Sequence, residues 1–474
     1  MTEQEGLTVK KSENFPEFYT QLIQKADLAD YSKVKGCMVI KPNAYHIWEQ
    51  IQDYFNSRLK KLEVKNAYFP LFIPESFFQK EAEHAQGFSP EVAWIANTEE
   101  GERLAIRPTS ETVMYDSYSK WIRSHNDLPF KMNQWCNIIR WESLATKPFI
   151  RTREFLWQEG HCVYETEKET DKETLTYLEE YQKLCQDLLA LPTLTGKKSD
   201  KEKFAGAKYT LSIESIMPDG KALQMGTSHN LGQGFARSFN ISYLDRKEKK
   251  QIPWQNSWGI STRLIGALAM LHSDDKGLIL PPKVAFSQLV IVPILFKDTQ
   301  AKVLKKCKDL EKKLKKHNPI LDDRNYSPGW KFNEWELKGV PIRLEIGPKD
   351  LEKSQVVLVR RDNNNKTPVK FSNLTKEIDK TLEDIQISLF KKAEIEMKEK
   401  IHKTNAFEDF RHIIKGKKVA LAPWCGTIKC EEKIKDKTIG AKSLNIPFNQ
   451  PPKIGKCFHC SKKAKHLTYF GKSY

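Results

Sequence analysis

The sequence predicts an α+β protein of three domains, and three observations carry that prediction. Its 474 residues suffice for about three domains of roughly 150 residues each. Its patterning changes twice: mixed helices and strands give way after Pro281-Pro282 to strand–helix alternation, and after Ala406 to short strands, turns and cysteines. Hydrophobic residues at 39%, with 24 Phe, 15 Tyr and 11 Trp, supply sizeable cores and exclude wholesale disorder. The expected domains are 1–282, 283–392 and 393–474.

In the first domain, Asn43 is placed to cap a helix whose apolar face runs through Ala44, Ile47, Trp48, Ile51, Phe55, Leu59 and Leu62. Residues 67–73 read as a strand. Leu175, Leu178, Tyr181, Leu184, Leu188 and Leu191 mark a second amphipathic helix, stopped by Pro192. Pro281-Pro282 reads as a linker. Beyond it, 288–296, 340–346 and 355–360 read as strands. Segments 299–316, 329–338 and 374–401 read as helices, the first with a lysine-laden outer face. Such alternation implies a mixed or parallel sheet with helices packed on it. No internal repeat is evident.

The formal net charge of +17 is uneven. From Arg411 to Tyr474 there are 15 Lys+Arg against 3 Asp+Glu, which leaves +5 for the first 410 residues. A basic surplus at one end fits a polyanion, nucleic acid ahead of a membrane surface, or simply a solvated lysine-rich surface. Apolar runs such as 288–296 fall far short of the roughly 20 residues of a membrane helix. The first residues have no secretory-type apolar stretch. A cytoplasmic protein without membrane contact is therefore expected, and an odd number of cysteines, nine, agrees with a reducing compartment.

Three stretches suit a phosphate-bearing ligand. Residues 134–142 read as a strand ending in Arg140 and Glu142, which alternation places on one face. Residues 151–161 are again strand-like and carry Arg151 and Phe155. Arginine forks suit phosphate oxygens and an aromatic ring suits a purine face, although a surface salt-bridge ladder has the same pattern. In 258–271, Gly259 precedes a helix with Arg263 in its early turns, where the macrodipole disfavours a cation lacking an anionic partner. No GxxxxGK[ST] loop exists, so any triphosphate is held without a P-loop. Finally, Cys425-x4-Cys430 and Cys457-x2-Cys460 are separated by 26 residues. Thiolates so spaced can converge on zinc and close a domain with little core of its own; vestigial cysteines are the alternative. His459 is expected outside the coordination sphere.

Several longer strings occur together: Arg107-Pro-Thr-Ser-Glu-Thr-Val-Met-Tyr115, Arg151-Thr-Arg-Glu-Phe-Leu-Trp-Gln-Glu-Gly-His161, Gly226-Thr-Ser-His-Asn-Leu-Gly232, Asn256-Ser-Trp-Gly259 and Gly471-Lys-Ser-Tyr474. With these, and with Arg140-x-Glu142 and the Gly259-to-Arg263 helix start, the chain resembles the class II aminoacyl-tRNA synthetases over essentially its whole length. Among them it resembles the prolyl-tRNA synthetases of the archaeal/eukaryotic type. The resemblance implies an antiparallel-sheet catalytic domain, an α/β anticodon-binding domain and a small zinc-binding C-terminal α+β domain. It also implies ATP-dependent activation of L-proline, transfer of the prolyl group to the 3′ end of tRNA(Pro), Mg2+ with the ATP, structural Zn2+ and a homodimer.

Roles follow from the same resemblance. Arg140 would hold the α-phosphate and the attacking carboxylate, and Arg151 and Arg263 the outer phosphates. Phe155 would stack on adenine with Glu142 nearby, while Thr152, Gln224, Thr227 and Ser261 add polar contacts to ATP. Thr109 and Glu111 would accept from the prolyl ammonium, Trp157 and Phe204 would wall the ring, and His229 would lie close. Gly329-Trp330, Arg343, Glu345, Gly347-Pro348 and Lys349-Asp350 fall where family members contact or frame the anticodon, and the carboxylate of Tyr474 would turn back towards the catalytic domain. Ser261 stands where the family usually has Thr. Barely more than a hundred residues separate Phe155 from Gly259, which leaves no room for an inserted editing domain. The rival readings are a synthetase for another amino acid, such as threonine, and a silent tRNA-binding paralogue.

Overall fold

A computed structural model describes residues 6–82, 91–96, 101–142, 145–438 and 440–474 of the chain, and its architecture is α+β. The largest sheet has eight strands. In spatial order they are Ile446–Pro447, Leu194–Lys197, Tyr209–Ile216, Ala222–Gly232, Trp254–Ser261, Glu154–Tyr164, Phe130–Ile139 and Lys65–Asn66. All neighbours are antiparallel except the last pair.

Helices cover one face of this sheet. Pro42–Lys61 buries Ala44, Ile47, Trp48, Ile51, Phe55 and Leu59, as their spacing requires. It begins at Pro42 with Lys41 in the cap position rather than at Asn43, because proline's fixed φ and missing N–H suit the first helical position. The second helix, Glu167–Lys183, starts upstream of the leucine pattern, where Thr166 and Glu169 cap each other reciprocally. Its buried face is therefore Thr170, Thr174, Tyr177, Leu178 and Tyr181, and Leu175 is exposed. Residues 67–73 do not form one strand: Lys65–Asn66 and Phe72–Pro74 join different sheets, and Pro70 between them has no N–H to continue a ladder.

At the back of the sheet, Trp258 stacks on Tyr177 with ring centroids 4.0 Å apart and touches Phe55 and Tyr181. Its cross-strand partner is Gly160. A Cβ there would lie 2.0 Å from a Trp258 ring carbon, so only glycine fits.

A second, five-stranded sheet follows in the order Ile320–Leu321, Leu289–Pro293, Ile342–Ile346, Gln355–Arg360, Lys366–Lys370. The first three strands are parallel and the rest antiparallel. Gln300–Lys313, Pro328–Lys338 and Leu374–Glu399 are its helices. Pro281 and Pro282 are buried, and across this joint Arg361 forks Asp274 at 2.6 and 2.8 Å. The connection is thus a packed joint rather than a free linker.

Beyond Ala406 the chain is not only strands and turns. Helices Phe407–Lys415 and Ile428–Lys437 flank a four-stranded sheet of Ile401–Lys403, Val419–Trp424, His466–Gly471 and Lys442–Ser443. This region also lends Ile446–Pro447 to the edge of the large sheet. Among the described residues no helix is long and apolar enough to cross a membrane.

Gly160→Ala should destabilise the large sheet by about 3 kcal/mol, since Trp258 is too tightly packed to move aside. An earlier first unfolding transition in urea would register it.

Candidate active site

The open face of the large sheet carries the site, and the strand period explains its composition. Phe155, Trp157, Glu159 and His161 alternate along Glu154–Tyr164 and so share one face. Across the ladder Trp157 pairs with Ser261, Glu159 with Gly259 and His161 with Ser257; next, Gly259 pairs with Thr227 and Ser257 with His229. These positions floor a cavity of about 280 Å³ whose lining also includes Thr109, Glu111, Arg140, Phe204, Gln224 and Arg263.

Of the residues singled out from sequence, Thr109, Glu111, Arg140, Phe155, Trp157, Phe204, Gln224, Thr227, His229, Ser261 and Arg263 thus line one cavity. Arg151, Glu142 and Thr152 do not. Arg151 is exposed and pairs with Glu142 at 2.9 Å, yet its charge still reaches Arg263. The strand expected to end in Arg140 and Glu142 stops at Ile139, so both residues sit just past its end. Gly259 lies in the strand Trp254–Ser261, and the helix starts at Arg263 itself.

One end of the cavity is cationic. The Arg140 guanidinium lies 5.6 Å from the centroids of both Phe155 and Trp157, and its Nε donates to the Pro108 carbonyl at 3.3 Å. Arg263 donates to the carbonyls of Ile150 at 3.2 Å and Gln224 at 3.1 Å. Among the described residues neither arginine has a carboxylate ion pair. Burial, and then the like charges of Arg140 and Arg151, push Arg263 down to about 10. Such a group awaits an anion.

The other end is anionic. Glu111, Glu159 and His161 bring ligating atoms within 4.8 Å of one another, all buried. Thr109 donates to Glu111 through its hydroxyl. Glu159 accepts from His161 Nε2 at 3.0 Å, from Gln134 at 3.1 Å and from Ser110. Burial alone would raise Glu159, but the hydrogen bonds from His161, Ser110 and Gln134 hold it below the ordinary value. Burial would likewise lower His161, yet Glu159 and Glu111 hold it up. Two carboxylates therefore face one imidazolium, and Glu111 is pushed up by burial and by Glu159. Beside them Phe204 packs 4.8 Å from His229, which burial and the His161 charge push down to about 3, leaving it neutral. Glu159 and His161 carry no role from the resemblance, but their alternation with Phe155 and Trp157 in the sequence sets them on the same face.

The loop beneath Arg263 is braced by both ends of the chain. The Lys147 ammonium lies 5.5, 4.7 and 4.9 Å from the ring centroids of Phe15, Tyr19 and Tyr474. Lys147 and Arg151 exchange backbone hydrogen bonds at 2.8 and 2.9 Å. Tyr474 donates from its N–H to Ala222 at 3.2 Å and from its hydroxyl to Asp219 at 2.8 Å, so the chain terminus does return to the large sheet.

Two groups lie elsewhere. Arg343 and Glu345 share a face of Ile342–Ile346, both buried: Arg343 forks Glu345 at 2.9 and 3.1 Å and reaches Glu336 at 2.9 Å. Lys349 is exposed on the short helix Pro348–Glu352. The four cysteines Cys425, Cys430, Cys457 and Cys460 do cluster, with Sγ atoms 3.8 Å apart for Cys430–Cys457 and 3.6 Å for Cys425–Cys460. A tetrahedral zinc with sulfur at about 2.3 Å needs sulfurs about 3.8 Å apart, so the donor set fits. His459 Nδ1 lies 3.3 Å from Cys430 Sγ, positioned to hydrogen-bond a ligand rather than to be one.

Three sequence families match successive parts of the chain. They are described as the tRNA synthetase class II core domain (G, H, P, S and T) over 94–272, an anticodon binding domain over 288–381, and the prolyl-tRNA synthetase C-terminal domain over 407–474. The chain is 50% identical over 467 residues to the proline--tRNA ligase of Alkaliphilus oremlandii, covering 97% of this chain and 96% of that protein. It is 48% identical over 477 residues to proline--tRNA ligase 2 of Bacillus thuringiensis (strain Al Hakam), covering 100% and 99%. A proline--tRNA ligase of Clostridium novyi is 48% identical over 98% of this chain and 97% of its own.

Nuclear magnetic resonance titration should find His161 protonated above the ordinary 6.5. In Glu159→Gln its value should fall, because burial is then less opposed. The stability this pairing gives is complete below 6.5 and fades as pH rises through the raised value.

Proposed function

The chain belongs to the class II prolyl-tRNA synthetases, and on that premise we propose how its cavity joins L-proline to ATP and passes the prolyl group to the 3′ end of tRNA(Pro). The observation that carries the reading is the cavity's bipolar charge: guanidinium groups short of an anion at one end and carboxylates short of a cation at the other. A triphosphate and a secondary ammonium meet both demands at once.

Glu111 and Thr109 receive the two N–H donors of the prolyl ammonium, with Glu159 and His161 fixing Glu111 from behind. Trp157, Phe204 and neutral His229 wall the ring. Arg140 is placed between this end and the phosphates, where it aligns the carboxylate with the α-phosphorus and neutralises charge as the pyrophosphate leaves. Arg263 and Arg151 take the outer phosphates, the latter by exchanging Glu142. Phe155 stacks on adenine, with Thr152, Gln224, Thr227 and Ser261 as polar contacts. Glu142, whose charge acts on Arg140 and Arg263, would be the carboxylate to hold Mg2+, which would supply further neutralisation of the triphosphate.

We read the domains as 1–282, catalytic, 283–392, anticodon-binding, and 393–474, zinc-bearing. This is the domain arrangement of the archaeal/eukaryotic type, in a chain whose reported relatives are bacterial. Most of residues 155–259 belong to strands of the large sheet and the helices beside them, which supports the absence of an editing insert. Cys425, Cys430, Cys457 and Cys460 would hold a structural zinc, and none of the nine cysteines being in a disulfide suits a cytoplasmic enzyme. Exposed Tyr68 and Phe72, with exposed Trp121 5.9 Å by ring centroids from Phe69 between them, support a homodimer. At the anticodon, Lys349 is free to meet phosphate, whereas Arg343 and Glu345 must exchange their mutual pairing to read a base.

Proline-dependent exchange of labelled pyrophosphate into ATP tests the proposal. Arg263→Gln should lower exchange about a hundredfold or more, and Glu111→Gln should raise KM for proline. Exchange driven by another amino acid instead, or none at all, contradicts the reading. The purified enzyme should also accumulate alanyl-tRNA, since alanine lacks two of proline's ring methylenes and each is worth only about 1–3 kcal/mol in discrimination; efficient hydrolysis of that product would argue for editing here. Zinc analysis should return one ion per chain, and Cys457→Ser should loosen the C-terminal domain before it impairs exchange.

A further inference from the structure

One wall of the anionic end is held from the C-terminal region. Strands Leu194–Lys197 and Tyr209–Ile216 are antiparallel neighbours, which a turn of about two to five residues can connect, yet residues 198–208 join them. This long connection sets Glu202 and Phe204 in the cavity lining. Its first half is stitched to the C-terminal region. Lys198 is buried, and its ammonium donates to Glu214 at 2.8 Å and to the Leu444 carbonyl at 2.6 Å. The Ser443 hydroxyl donates to that of Ser199 at 3.1 Å, and Lys201 pairs with Glu432 at 3.2 Å. Lys442 then donates to the Glu202 carboxylate at 2.7 Å. Lys442 and Ser443 pair with Gly471 and Phe470 in the four-stranded sheet, so this ammonium reaches out from regular structure.

The same connection leads straight to the ring wall. Ser199 accepts from the Glu202 N–H through its hydroxyl at 3.2 Å and through its carbonyl at 3.1 Å, and that carbonyl also receives the Lys203 N–H at 2.9 Å. Phe204 follows and donates its N–H to Thr210 Oγ1 at 2.9 Å, a hydroxyl that meets His229 Nδ1 at 2.8 Å. Among the described residues, the Lys442–Glu202 pair is the last tie to the C-terminal region before this ring. We propose that Lys442 is a positioning residue for the amino acid: it fixes Glu202 and, two residues on, the Phe204 ring against the prolyl ring. The inference rests on the reading of the cavity as one that activates proline. The cationic end is independent of this tie, because Arg140 and Arg263 are held by the carbonyls of Pro108, Ile150 and Gln224. Losing the pair should therefore be felt by proline and not by ATP.

Pyrophosphate exchange tests this in full-length Lys442→Met, Lys442→Arg, Glu202→Gln and the double variant Lys442→Met/Glu202→Gln, with the melting temperature measured alongside. KM for proline should rise about fivefold in Lys442→Met and in Glu202→Gln, the most that a partly exposed ion pair is worth. It should rise no further in the double variant, because both substitutions remove the same contact. Lys442→Arg should restore the wild-type value, and KM for ATP should stay unchanged in all four. An unchanged KM for proline in Lys442→Met, or effects that multiply in the double variant, overturns the assignment. So do parallel rises in both KM values with a lower melting temperature, which would make Lys442 an ordinary interface residue. Absence of proline-dependent exchange in the wild-type protein would instead sink the ligase reading on which the inference rests.

Discussion

Unbalanced charge inside one cavity is the constraint on which the rest of the structure depends. Among the described residues the guanidinium groups of Arg140 and Arg263 hydrogen-bond only to backbone carbonyls, while Glu111 and Glu159 share a single imidazolium in the same cavity. Each end is costly without a ligand: Glu111 and Glu159 act on Arg140 through space, but among the described residues no ion pair joins the two ends. Ligand binding supplies the missing counter-charges. Such a site gains most from a reaction in which negative charge builds up on phosphate while an ammonium stays fixed.

The scaffold that enforces this geometry draws on the large sheet and on the C-terminal region. Trp258 and Gly160 lock the central strands from behind, so the open face keeps its register. The C-terminal region adds Ile446–Pro447 to the sheet edge and sends Tyr474 back to cage Lys147. Lys147 pairs with Arg151, and the carbonyl of Ile150 between them holds Arg263. A perturbation of the four-cysteine cluster therefore has a physical route to the cationic end of the cavity, through Tyr474 rather than by direct contact.

Much of the fold and the site was legible because it rests on short-range periods. The spacing of Ile47, Ile51, Phe55 and Leu59 announced a helix, and the alternation of Phe155 and Trp157 announced a shared face. The same alternation pointed to Glu159 and His161, but nothing local says that a buried glutamate has an imidazolium for company. Non-local pairings were hidden for the same reason. A two-residue strand such as Ile446–Pro447 has no period, and its partner lies some 250 residues away. Arg343 looked available for a base, but its fork onto Glu345 and Glu336 depends on the helix that folds over that strand. Proline chemistry accounts for two displaced boundaries: Pro42 starts its helix earlier than Asn43 would, and Pro70 interrupts the strand read across 67–73.

Calorimetric titration of L-proline into the enzyme, in two buffers of different ionisation enthalpy, addresses the charge imbalance directly. Burial and Glu159 hold Glu111 above its ordinary value, so an arriving ammonium must lower it. Proline binding at mildly acidic pH should therefore release a proton from wild-type enzyme and none from Glu111→Gln. Binding without proton release, or equally tight binding to Glu111→Gln, would contradict the assignment of the anionic end to the amino acid.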